Sequence, residues 1–122
     1  MPDIAVLIVE DEPNLARAAS RLLRSMGFEV HSSSGGSEAV ELLRVHAEKI
    51  KVVLLDAILR DVSSVNTIQA LRSVNPEIKV ILTSGYPRQE CLDGFAGIRL
   101  DGFIPKPFGY TELENAIRNS IK

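Results

Sequence analysis

Five short, β-rich apolar runs punctuate the chain, and between them lie longer stretches whose apolar residues recur at helical spacing. The first run, residues 4–9 (Ile4-Ala5-Val6-Leu7-Ile8-Val9), is continuously apolar, as a strand covered on both faces must be. Further strands are predicted at 28–32, 50–55, 78–83 and 102–104. The first helix opens at Asp11-Glu12-Pro13, an acidic cap with Pro near the first helical position, and stops at Gly27. Its predicted inward stripe is Leu15, Ala18, Ala19, Leu22 and Met26, leaving Arg17, Arg21 and Arg24 elsewhere. A second helix, from 37 to about 47, turns Val40 and Leu43 inward; a third turns in Val65, Ile68 and Leu71 and closes at Asn75-Pro76. The fourth, over 88–97, is weakened by Gly94 and Gly97 and is predicted to be the least stable element. In the last, Thr111 and Glu114 have capping-box spacing and Leu113, Ala116, Ile117 and Ile121 form the stripe. Strands and helices in strict alternation predict a parallel sheet with helices on both faces, a three-layer α/β/α domain.

At 122 residues the chain suits one domain, read as spanning 1–122, that folds without disulfide or metal support. Cys91 is the only cysteine, so no intramolecular disulfide forms. Fourteen basic against sixteen acidic residues, with no basic run, leave no electrostatic footprint for direct nucleic acid binding. The first apolar run is too short for a signal-peptide core, and no segment approaches a membrane span. These features predict a soluble cytoplasmic domain without membrane contact.

In open α/β sheets, ligands bind beyond the carboxyl ends of the strands. There the chain places Glu10 and Asp11 after strand one, Asp56 after strand three, Thr83 and Ser84 at the end of strand four, and Lys106 after strand five. Clustered carboxylates repel unless a cation joins them, and an all-oxygen set selects a hard divalent ion, Mg²⁺ in the usual case. Glu10, Asp11 and Asp56 sum to −3, and Mg²⁺ with Lys106 sums to +3. A neutralised site of this kind accepts a phosphoryl group, with one carboxylate as nucleophile. Asp56, alone on the central strand, is the candidate. His31 and His46 have no second ligand near them in sequence and read as surface or strand residues.

Four segments, Val9-Glu10-Asp11-Glu12-Pro13, Val53-Leu54-Leu55-Asp56, Ile81-Leu82-Thr83-Ser84-Gly85 and Pro105-Lys106-Pro107-Phe108, occur in order and at the right intervals. In them the chain resembles the receiver domains of bacterial two-component response regulators, from residue 4 to the last helix. The resemblance implies a doubly wound five-stranded sheet in the order 2-1-3-4-5, the flavodoxin-like arrangement of CheY-like domains. It implies that a sensor histidine kinase or a histidine phosphotransfer protein phosphorylates Asp56, with the domain catalysing its own phosphorylation and dephosphorylation. Asp11, Asp56 and the backbone carbonyl of Ile58 would hold Mg²⁺, or Mn²⁺ as the substitute, with Glu10 reaching it through water. Lys106, Thr83 and the backbone N–H groups of Ala57 and Ser84 would hold the phosphoryl oxygens. Thr83 and the aromatic Phe103 would form the switch, the Lys106–Pro107 bond would be cis, and helix four, strand five and helix five would face an unknown downstream protein.

The chain departs from the family after Asp56, where Arg60 replaces a common Pro and Asp61-Val62-Ser63-Ser64 replaces a Gly-containing loop. That departure predicts alternative loop conformations on the way into helix three. Ile58 and Gly85, two residues after Asp56 and Thr83, sit where the family tunes dephosphorylation. Among competing readings, a flavodoxin-like nucleotide binder would need a Gly- or Ser/Thr-rich loop where Glu10-Asp11-Glu12 stands. An Asp-nucleophile phosphohydrolase would place its nucleophile on the first strand and add a cap. A pseudo-receiver, serving only as an interaction module, is the alternative. The chain ends in its last helix with no effector domain, so it reads as a stand-alone receiver or a piece of a longer regulator or hybrid kinase. Leu82-Thr83-Ser84-Gly85-Tyr86-Pro87 resembles receivers of hybrid kinases and hints at a phosphorelay.

Overall fold

The computed structural model describes residues 4–121. The elements are β1 (Ala5–Val9), α1 (Pro13–Ser25), β2 (Glu29–Ser33), α2 (Gly36–Val45), β3 (Ile50–Asp56), α3 (Ser64–Val74), β4 (Lys79–Ser84), α4 (Arg88–Asp93), β5 (Gly102–Pro105) and α5 (Tyr110–Ser120). All strand pairs are parallel and the order is β2-β1-β3-β4-β5, as the resemblance implied. Alternate residues of the central strands feed two cores. Val6, Ile8, Val52, Leu54 and Ile81 meet Ala19 and Leu23 of α1 and Leu113 and Ile117 of α5. Leu7, Val9, Val53, Leu55 and Leu82 meet Ala39 and Leu43 of α2 and Ile68 and Leu71 of α3 on the other face. Every residue of β1 is buried, so its sequence is apolar throughout rather than alternating.

Several local expectations need correction. In α1 the buried residues are Ala19 and Leu23, whereas Leu15 and Ala18 are exposed. Leu15, in the first turn, and Ala18 line an apolar cavity shared with Ile8, Val9 and Leu54 instead of packing closely on the sheet. In α2 it is Ala39 with Leu43 that is buried, and Val40 is only half-buried. The cap of α1 is Glu12, whose side chain accepts from the Asn14 N–H at 3.1 Å ahead of Pro13 at the first helical position. Asp11 is thereby left out of the cap. Helix α5 starts at Tyr110, earlier than the Thr111–Glu114 spacing predicts; Glu112 accepts the Gly109 N–H at 3.0 Å, the acidic half of a capping box.

Helix α4 is six residues long, ends at Asp93 rather than 97, and buries no residue fully. Gly97 follows with φ +80°, a conformation incompatible with continuing the helix. At the other end of the domain α2 and α3 approach so closely that a Cβ on Gly36 would collide with Thr67 Oγ1 and stand 3.2 Å from the Val62 Cβ. Thr67 cannot yield easily, being buried with its hydroxyl bonded to the Ser63 carbonyl at 2.9 Å.

Native-state hydrogen exchange should find the amides of 88–93 the fastest among the helices; protection there equal to that of α1 would contradict this. Gly36→Ala should cost about 1–3 kcal/mol in a urea titration with unchanged slope, the usual penalty for overpacking.

Candidate functional site

The parallel sheet brings the ends of β1, β3, β4 and β5 to one edge. Asp56 closes β3 and pairs in register with Thr83 on β4, while Glu10 and Asp11 follow β1 directly. Carboxylate oxygens of Glu10, Asp11 and Asp56 lie within 4.8 Å of one another. Lys106 reaches in from beyond β5, with its Nζ 2.7 Å from Glu10 Oε1 and 3.2 Å from Asp56 Oδ2. Glu10 Oε2 also accepts the Glu12 N–H at 3.1 Å, and Asp56 Oδ1 accepts the Ile58 N–H at 3.1 Å. Asp11 is served differently. Among the described residues its Oδ2 is buried without a hydrogen bond, and the nearest cation is Arg60, Nε at 3.7 Å.

One ammonium thus faces three carboxylates, and burial sharpens the conflict. Beneath the Lys106–Glu10 pair lies an apolar cavity of about 170 Å³, lined by Ile8, Leu15, Leu22, Leu54 and Phe108 among others. Burial raises the Glu10 carboxyl; the Lys106 ammonium and the Glu12 N–H pull it down, Asp56 pushes it up again, and the net shift is upward. For Lys106 burial acts downward, but Glu10 and then Asp56 outweigh it and hold the ammonium above its ordinary value near 10.5.

Of the remaining predicted residues, Ala57, Ile58, Thr83 and Ser84 adjoin this cluster in sequence or register, and Phe103 stands apart from it in a separate groove. Thr83 and Ser84 are buried at the end of β4. The Thr83 carbonyl accepts the Ala57 N–H at 2.8 Å, so that donor, expected to face a phosphoryl group, is engaged by the continuing β3–β4 ladder. The Ser84 carbonyl accepts the Lys106 N–H at 2.8 Å, and its hydroxyl accepts the Tyr86 N–H at 2.9 Å. Ile58 is 56% exposed. Phe103 is half-buried beside an open groove with Arg88, Leu92, Phe95 and Ile98. The Lys106–Pro107 bond is cis.

Residues 6–118 match the family model of the response regulator receiver domain. The chain belongs to that family. Receiver domains are the phosphoacceptor modules of two-component systems; they interact with histidine kinases or phosphotransfer proteins and generally bind Mg²⁺ at an acidic pocket. This receiver is 29% identical over 117 residues to the sensor kinase CckA of Brucella abortus, covering 96% of this chain and 12% of that protein. It is 34% identical to the probable transcriptional regulatory protein TcrX of Mycobacterium tuberculosis, over 98% of this chain and 50% of that one. The receiver therefore spans half or less of the length of these two relatives. Among solved structures it superposes on the receiver domain of the hybrid histidine kinase CckA with a TM-score of 0.80 and 26% identity, covering 97% of this chain and 99% of that one. A response regulator receiver domain protein of Clostridium thermocellum gives a TM-score of 0.84 at 23% identity, over 97% and 94% of the two chains. Among the described residues no helix of the receiver is long and apolar enough to cross a membrane.

The loop after Asp56, expected to vary in conformation, is tied at three points. Asp61 accepts the Gly36 N–H at 3.1 Å and the Ser37 N–H at 3.3 Å, and these bonds to the start of α2 hold its carboxyl below the ordinary range. Ser63 caps α3 by accepting the Asn66 N–H at 3.1 Å. The buried Ser64 hydroxyl donates to the Asp56 carbonyl at 2.7 Å, bracing the residue at the centre of the site. No signal in the sequence marks Ser64 for this role, because its partner is a backbone atom. His31 and His46, distant in sequence, stack with ring centroids 3.9 Å apart, and His31 Nε2 lies 2.7 Å from Glu29 Oε2.

Because the folded-state Lys106 value is raised, its contribution to stability is complete below about 10.5 and is lost as pH climbs through the raised value. In metal-free buffer with EDTA, the unfolding free energy of the wild type should fall more steeply above about pH 10.5 than that of Lys106→Met. Parallel curves would show that the carboxylates do not hold this ammonium.

Proposed function

We propose that the chain, as a single receiver domain over 1–122, takes a phosphoryl group on Asp56 from a histidine kinase or phosphotransfer protein in a Mg²⁺-dependent reaction. The observation that carries this reading is the convergence of three carboxylates within 4.8 Å, one of them Asp56, which lies 3.2 Å from the Lys106 ammonium. The donor set fits the metal. All its atoms are oxygens, it lacks positive charge, and Asp11 Oδ2 is buried with no hydrogen bond of its own. Asp11, Asp56 and the Ile58 carbonyl would hold Mg²⁺ (or Mn²⁺), with Glu10 acting through water. The ion supplies charge neutralisation for the incoming phosphoryl oxygens.

The protein's own groups do the rest. A carboxylate oxygen of Asp56 attacks phosphorus, the P–N bond of the donor phosphohistidine breaks, and the imidazole leaves with the electron pair. The Ile58 N–H holds the Asp56 carboxylate and the Ser64 hydroxyl holds the Asp56 backbone carbonyl through the bonds described above. Lys106, already shared between Glu10 and Asp56, moves its ammonium toward the phosphoryl oxygens, joined by the Thr83 hydroxyl and the backbone N–H groups of Ala57 and Ser84. Recruiting the Ala57 N–H requires sharing it with the Thr83 carbonyl, which couples the arrival of the phosphoryl group to the position of β4. Phe103, half-buried beside an open groove, then moves inward and changes the α4–β5–α5 face that a downstream protein reads. Such a change is a population shift toward an arrangement that phosphorylation favours. The balanced charge supports a protein target over nucleic acid, and dependence on a kinase that uses ATP supports a cytoplasmic location. A second reading, the receiver of a hybrid kinase in a phosphorelay, is favoured by the likeness to CckA in both sequence and structure.

Amide NMR with Mg²⁺ and then beryllofluoride should move the signals of Asp11, Asp56, Thr83 and Lys106, with the change spreading to Phe103 and α4. Asp56→Asn should abolish labelling by a small-molecule phosphodonor, and Thr83→Ala should keep the label but lose the distant shifts. Labelling of Asp56→Asn at the wild-type level would overturn the acceptor assignment. Absence of any Mg²⁺ response would leave a pseudo-receiver interaction module.

A further inference from the structure

We infer that Arg60 is a tethered counter-ion that occupies the mouth of the acidic cluster and must be displaced from Asp11 before a divalent cation is held there. The inference deepens the Mg²⁺-dependent reading above and rests on it. Its basis is the unequal sharing of cations among the three carboxylates. Lys106 is within 3.2 Å of both Glu10 and Asp56, and its ion pairs are with these two and not with Asp11. Asp11 Oδ2 is buried, accepts no hydrogen bond, and has the Arg60 guanidinium, at 3.7 Å, as its only ion-pair partner among the described residues. Among those residues Arg60 is therefore the one side chain in ion-pair contact with this carboxylate.

The geometry also accounts for how Arg60 can compete and yet yield. Its side chain is 87% exposed, so releasing it from Asp11 buries nothing and breaks no packing. Its backbone, by contrast, is held in place. The next residue, Asp61, is bonded to the Gly36 and Ser37 N–H groups at the start of α2. The guanidinium thus stays near the cluster whether or not it is paired, at a local concentration set by the loop. The oxygen that Arg60 faces is Oδ2, the one free of hydrogen bonds and so the one open to a metal, and a divalent ion on that oxygen and the guanidinium beside it repel and compete. Because the pair is exposed, salt should weaken the competition.

The test is the Mg²⁺ dissociation constant, read from the amide shifts of residues around Asp11 and Asp56, for wild type, Arg60→Ala, Arg60→Gln and Arg60→Lys at low and high salt. Arg60→Ala and Arg60→Gln should bind Mg²⁺ about two- to fivefold more tightly at low salt, the range that exposed ion pairs support. Arg60→Lys should stay near the wild type, and the gap should narrow as salt rises. Equal affinities across the series would overturn the inference while leaving the Mg²⁺ site intact, and weaker binding by Arg60→Ala would overturn it by showing that Arg60 supports the loop. Absence of Mg²⁺ shifts in every variant would overturn both the inference and the reading on which it rests.

Discussion

Three carboxyl groups with oxygens inside 4.8 Å repel one another strongly, and the surrounding structure serves to hold them there. A flexible loop would relieve the repulsion by opening. Here Asp56 closes a strand whose neighbours on both sides are hydrogen-bonded and whose faces are both covered, so it cannot drift. Glu10 and Asp11 follow an equally buried strand, and Glu12 rather than Asp11 caps the next helix. The two apolar cores therefore keep like charges together, and the site is left with an excess of negative charge.

Lys106 offsets only part of that excess from within the chain. It stands 96 residues from Glu10 in sequence and lies nearer to it, at 2.7 Å, than to Asp56 at 3.2 Å. Both its raised value and that of Glu10 arise in a setting where burial penalises charge, so the pair is held by mutual need over an apolar cavity. The backbone repeats the theme. The Thr83 carbonyl takes the Ala57 N–H and the adjacent Ser84 carbonyl takes the Lys106 N–H, so two consecutive residues of β4 connect the end of β3 to the lysine that follows β5.

The sheet is legible in the sequence because runs as continuously apolar as β1, β3 and β4 must be covered on both faces. The site is legible because strand ends are where such sheets carry polar chemistry. What escapes the sequence depends on lateral placement. The pairing of Arg60 with Asp11, of Asp61 with the start of α2, and the stack of His31 on His46 each join segments whose proximity only the folded sheet creates. The stripe of α1 differs from its spacing for a related reason. Helical spacing tells which residues share a face, but not how tightly that face is filled, and Leu15 and Ala18 border a cavity over the sheet. Resemblance gives the Ala57 N–H to a ligand, whereas the β-ladder extends one residue further than the strand pattern suggests and claims it.

The shallow seating of α4 has a consequence for how a domain like this diversifies. None of its six side chains is fully buried, and Cys91 and Leu92 touch the core only in part. Substitutions there meet little packing resistance, whereas almost any change in β1 or β3 is penalised by the cores. The molecule thus separates its vocabulary from its grammar. Exposed positions of α4 can be rewritten while the carboxylates, the lysine and the strands that align them stay constant, so, with the α4–β5–α5 face proposed above as the one a partner reads, copies of one framework can differ in partner by changes at a few exposed positions.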